Sequence, residues 1–171
     1  MYPFERASDG TLVVTLYEGH IVLLRMVLTE VRGLLDSPAP NAGVSDRLFP
    51  RAYLDPTEDT AEAEFQGLVH HDLARAKVAA FDDVLGLLGA AEAQANGTYT
   101  LHLDEEQEEH LLGALNDLRL VLAELLEPAV GGEDRDEEDA EDGPAAAELL
   151  DWLTALESEL IEVKLGDFPH D

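Results

Sequence analysis

Residues Leu103–Leu126 read LDEEQEEHLLGALNDLRLVLAELL, and this stretch decides the fold. Apolar residues recur at Leu111, Leu115, Leu118, Leu122 and Leu125. A spacing of three and four is one face of an α-helix. Asp104 and Gln107 stand in the relation of a capping box, with the carboxylate at the N-cap and the amide three residues on. Glu105, Glu106, Glu108 and Glu109 fill the first two turns, the earliest where the helix dipole favours negative charge. The helix also carries a tight polar group, Asn116, Asp117 and Arg119.

Upstream of this helix, Thr98–Leu103 (TYTLHL) reads as a strand, preceded by an Asn96-Gly97 turn. The N-terminus repeats the arrangement. Phe4–Ala7 is a short strand, Ser8-Asp9-Gly10 a turn, and Thr11–Tyr17 (TLVVTLY) a β-branched second strand. A helix over 18–36 follows, with Ile21, Leu24, Leu28, Val31 and Leu35 inward. Val22, Leu23, Met26 and Val27 widen that stripe and predict burial on most sides. Thr11-to-Arg32 lies over Thr98-to-Arg119 without a gap, so Leu16 meets Leu103 and Leu28 meets Leu115. Either this is an internal repeat, or two strand–helix units with leucine stripes align this well by chance. A true repeat requires strands 11–17 and 98–103 to pair directly.

Between the two units, residues 37–50 are rich in Pro, Gly, Ser and Asn and read as a loop. In RAYLDPTED (51–59), Asp55 suits an N-cap, Pro56 the first helical position and Glu58 a capping box. The helical pattern then runs to about 95, with Gly67, Gly86 and Gly89 marking places for a break. Beyond the central helix, GGEDRDEEDAEDG (131–143) holds eight acids and reads as a flexible acidic linker. A C-terminal helix is expected over 145–165, with Leu149, Trp152, Leu153, Leu156, Leu160 and Ile161 inward. The fold class is therefore mainly α: a bundle of about five helices with a small antiparallel sheet from strands near 4–7, 11–17 and 98–103, in one domain.

Composition narrows the function. The formal charge is −28, from 38 acids and 10 bases. Direct capture of a phosphate backbone needs Lys and Arg to displace counterions, so nucleic acid is a poor fit. Arg25, Arg32, Arg47, Arg51, Arg75, Lys77 and Arg119 make a basic stripe only if the helices gather them. Otherwise each pairs with an acid. There is no cysteine, so thiol chemistry is excluded. No signal peptide or bilayer-length apolar run is present, and a cytoplasmic protein is expected.

No phosphate-cradling glycine loop and no serine elbow occurs, and no catalytic, cofactor or metal residues are assigned. His70-His71-Asp72 is a weak metal candidate, because neighbouring residues on a helix diverge by about 100°. Glu106 and His110 have metal-helix spacing, but such pairs are common on an acidic helix. The one constellation singled out is a structural or interface polar cluster of Arg51, Tyr53, Asp55, Asn116, Asp117, Arg119 and Trp152. In it, Asn116 or Asp117 is expected to bond the backbone of 51–55, and Arg119 to form a bidentate pair with a carboxylate.

At RAYLDPTED, at LNDLRLVL (115–122) and at DWL (151–153), the chain resembles an actinobacterial family known as domain of unknown function two thousand and seventeen. The resemblance covers nearly the whole chain. It implies a regulatory protein, since some members are described as transcription regulators of the oxidative-stress response that work with a sigma factor and sense through a cysteine pair. Family genes often lie beside one for a ClpS-type protease adaptor. Without cysteine, redox sensing does not carry over. The expectation is a non-enzymatic protein acting through protein contacts, with a sigma factor or a protease-adaptor system as partner, and forming a homodimer. The alternatives are a direct DNA-binding regulator and, third, a hydrolase or metal-dependent enzyme.

Overall fold

The computed structural model describes residues 3–35, 47–49, 59–126 and 139–166, with side chains described only from 72 and from 145 in the two long helices that start at 59 and 139. The elements run β1 (Phe4–Arg6), β2 (Leu12–Tyr17), α1 (Glu18–Leu35), α2 (Asp59–Gly89), β3 (Glu92–Ala93), β4 (Thr98–Leu103), α3 (Glu105–Leu126) and α4 (Asp139–Gly166). Among the described residues there are four helices rather than about five. The difference lies in α2, which continues through Gly67 and ends at Gly89, the later of the expected break points, so no further helix runs on to about 95. One glycine costs a helix only about 1 kcal/mol, which flanking turns absorb. The α4 helix starts at Asp139 rather than 145, taking in the end of the expected linker; residues 131–138 lie outside the described residues.

The sheet is antiparallel, in the order β1-β2-β4-β3. Its fourth strand, β3, lies where the sequence reads as helix to about 95; two residues are too few for an alternating pattern to show. The central strands β2 and β4 pair directly, from Leu12 opposite Leu103 to Tyr17 opposite Thr98. The internal repeat therefore passes its test, and it extends further than the alignment of leucines. Asp9 and Asn96 occupy equivalent places in the two hairpin turns. Each side-chain oxygen accepts from the backbone N–H two residues on, Thr11 at 3.0 Å and Thr98 at 3.1 Å. The glycines that follow, Gly10 and Gly97, have φ of 89° and 80°. The turns close with the same backbone bonds, Ala7 N–H to Thr11 O and Gln94 N–H to Thr98 O. The outer strands keep step too, with Glu5 opposite Val13 and Glu92 opposite Thr100.

The overlay that lays Thr11 on Thr98 also lays Val14 on Leu101, and these two face each other across the ladder. The pairing is that of two ββα units related by a local twofold axis through the Val14–Leu101 pair. The symmetry stops at these units. The α2 helix packs on both α1 and α3, whereas α4 packs on α3 and β1.

One face of the sheet is buried. Phe4, Leu12, Val14, Leu16, Leu101 and Leu103 point into a core completed by residues such as Leu24, Leu28, Phe81, Val84, Leu115, Leu118, Leu153 and Leu160. Strands and all four helices converge on an apolar void of about 20 Å³ bordered by Val14, Leu24, Leu88, Leu101, Leu111 and Leu156. The α3 N-terminus is capped as its sequence requires. Gln107 N–H donates to Asp104 Oδ1 at 2.9 Å, and Asp104 N–H donates to Gln107 Oε1 at 3.1 Å. The α1 helix departs from expectation. Val22 and Met26, one turn apart, are 61% and 57% exposed, so burial on most sides does not hold within one chain. Leu125 and Ile161, counted on inner stripes, are also exposed. None of the described helices is long and apolar enough to cross a membrane.

Candidate functional site

The polar residues of α3 divide by helix geometry, since successive positions turn by about 100°. Asn116 is exposed and Asp117 buried, while Arg119 is half-buried and faces α4. The Asp117 carboxylate accepts from Lys77 Nζ on α2 through both oxygens, each at 2.7 Å. Burial pushes the Asp117 carboxyl above the ordinary value of 3.8, and the lysine only partly offsets it. Asp117 is thus held by an ion pair to α2, and the expected bond to the backbone of 51–55 lies outside the described residues. Arg119 pairs with Glu157, and its Nε donates to Thr154 Oγ1 at 3.0 Å. It engages an acid as expected, but its second contact is a hydroxyl and not the same carboxylate. Arg51, Tyr53 and Asp55 lie outside the described residues.

Other ion pairs were not legible in the sequence. Glu108, one of the acids of the first two turns, is only 4% exposed. Arg6 on β1 clasps it with both guanidinium nitrogens, one at 3.1 Å, and Lys164 on α4 approaches to 3.9 Å. The signal was there, because Glu108 precedes Leu111 and Leu115 by three and seven residues and so shares their inward stripe. Arg32 holds Asp82 (Nη2 to Oδ2 2.9 Å), drawing that carboxyl below its ordinary value, chiefly by hydrogen bonding. Arg47 Nε donates to Glu124 at 2.8 Å, and Lys164 holds Glu109. These pairs connect β1, α1, α2, α3 and α4 to one another. Among the described residues no group of three or more His, Asp or Glu is placed to hold a metal ion. His110 Nδ1 lies instead 2.8 Å from Asp83 Oδ2, and the side chains of His70 and His71 lie outside the described residues.

Trp152, assigned to the same cluster, sits elsewhere. It borders a cleft of about 180 Å³ where β2 runs into α1 and α4 crosses the junction. The His20 ring packs against the Trp152 indole, with centroids 4.9 Å apart and planes 36° apart. Tyr17 meets His20 edge to face at 5.7 Å, and its side of the cleft is open, the residue being 52% exposed. Trp152, Ala155 and Glu159 line the α4 wall at helical spacing. Glu159 Oε2 is buried and has no hydrogen-bond partner among the described residues. The sequence reading did not find His20, Tyr17 and Glu159, because only the fold brings residues 17–20 beside 152–159.

What fold and site define is a mainly helical protein on a small antiparallel sheet, its helices tied together by ion pairs, with one aromatic cleft at a strand–helix junction. The chain belongs to the DUF2017 family, a domain of unknown function whose model matches residues 1–164. No curated protein and no solved structure matches the chain.

Proposed function

We propose that this chain is a non-enzymatic regulatory protein that acts by binding another protein, in transcription or in a stress response. The observation that carries this reading is the use the fold makes of its few cations. Arg6, Arg32, Arg47, Lys77, Arg119 and Lys164, six of ten bases, are held by carboxylates of the same chain. Arg25 and Arg75 are exposed beside them, but acids dominate what faces outward, within a formal charge of −28. Such a surface attracts basic protein surfaces and repels phosphate backbones. The buried acids Asp117, Glu108 and Glu157 are engaged in these internal pairs, which supports a structural use for them over a catalytic one.

The resemblance to actinobacterial regulators, some of which work with a sigma factor, suggests the kind of partner; a ClpS-type protease-adaptor system is the other expected kind. Homodimerisation through the Val22–Met26 face of α1 fits the same reading, as does a cytoplasmic location. Affinity capture from native lysate, at low and at high salt, tests the proposal. A specific protein partner released by salt is the expected result. Retention of duplex DNA, or of no macromolecule at all, would overturn it.

A further inference from the structure

We infer that the cleft between the β2–α1 junction and α4 receives the guanidinium of an arginine side chain from a basic protein partner. The inference rests on the reading of the chain as a protein-binding protein, and it names the chemistry of one contact. Three observations converge. First, Glu159 Oε2 is buried at the cleft and accepts no hydrogen bond among the described residues. A buried acceptor left without a donor is costly, so the site is built at a loss that an incoming N–H donor recovers.

Second, both walls of the cleft carry aromatic rings, Trp152 on α4 beside Glu159 and Tyr17 and His20 across from them. His20 lies against Trp152, and Tyr17 stands edge-on to His20 at the open side. An aromatic face attracts a cation, most strongly when the face is tryptophan. A guanidinium stacks on such a ring while its edge donates in-plane to a carboxylate, which a lysine ammonium cannot do as a planar fork. Third, among the described residues no lysine or arginine lines the cleft. Glu148, one turn before Trp152, and Glu162, one turn after Glu159, are exposed on α4. These acids add negative charge beside the cleft, and no cation among the described residues lines it. The outward charge of the whole chain favours a basic partner as the source of the arginine.

The chain has one tryptophan, Trp152, which reports on the cleft directly. The test titrates the purified full chain with acetyl-Gly-Arg-Gly-amide at fixed ionic strength, following tryptophan emission, with lysine and citrulline peptides as controls. The arginine peptide is expected to give a saturable change with Kd on the order of 1 mM. The lysine peptide should bind several-fold more weakly. Citrulline, isosteric but uncharged, should give no saturable change. Glu159→Gln should weaken the arginine peptide by about tenfold or more. Ala155→Leu, which fills the cleft and alters no charge, should abolish the response, with far-UV circular dichroism unchanged in both variants. Equal binding of the citrulline peptide, an unchanged affinity in the Glu159→Gln chain, or no saturable response from the arginine peptide would each overturn the inference. None of these outcomes bears on whether a partner is captured from lysate, so the two proposals fail separately.

Discussion

At Asp117 and Glu108 the fold places carboxylates where only cations from other helices or strands make them tolerable. Asp117 is raised in the folded state, so its protonated form is the one folding favours. Its contribution to stability is full below about pH 3.8 and is lost as pH rises through the raised value. The stability of the native chain relative to Asp117→Asn should therefore fall as pH rises above about 4, measured from denaturant midpoints. Asp82, lowered by Arg32, has the opposite sign: its contribution is present above about pH 3.8 and lost below it. For the Arg6–Glu108 clasp, removing either partner leaves the other poorly satisfied. Arg6→Leu or Glu108→Leu alone should cost about 1–3 kcal/mol. The double variant should cost less than the sum of the singles, a coupling that a double-mutant cycle in urea reads.

At the scale of elements, the repeated turns and the helical glycines make opposite predictions for the same substitution. Gly10 and Gly97 have positive φ, and a Cβ built on either meets nothing within 4 Å, so only backbone strain opposes alanine. Gly10→Ala and Gly97→Ala should each cost about 1–2 kcal/mol. Gly113 lies inside α3 with equally open space around it, and Gly113→Ala should stabilise by up to about 1 kcal/mol. Thermal midpoints of the three variants check this.

These elements were largely legible. The periodicity of α3, its capping box, both glycine turns and the three longer strands follow from short-range chemistry that sequence carries. What was not legible depended on distance. Whether Gly67 breaks a helix, or whether Val22 and Met26 are covered, is decided by what packs there. The candidate site fared likewise. Trp152 was singled out, but its neighbours His20 and Glu159 come from separate helices and had no local pattern to announce them. Lys77 and Glu157, the partners of Asp117 and Arg119, are forty and thirty-eight residues away.

For the whole molecule, the exposed pair on α1 is the place where the fold and the proposed homodimer meet. Val22→Ser combined with Met26→Ser should leave monomer stability within about 0.5 kcal/mol, since both side chains face solvent. If this face joins two copies, the double variant should sediment as a monomer where the native chain sediments as a dimer. An unchanged dimer would place the contact elsewhere. Filling the same face in one chain is not required for folding, because the core is closed by Leu24, Leu28, Phe81, Leu118 and Leu160 without it.

The Val14–Leu101 axis has a consequence for how the chain is divided. Each half contributes one central strand, so a cut between residues 36 and 58 would leave two fragments, each with a bare edge that only the other fits. The closing seam works as a zip whose two sides lie more than eighty residues apart along the polypeptide, at 12–17 and 98–103. Fragment complementation is thus built into the architecture.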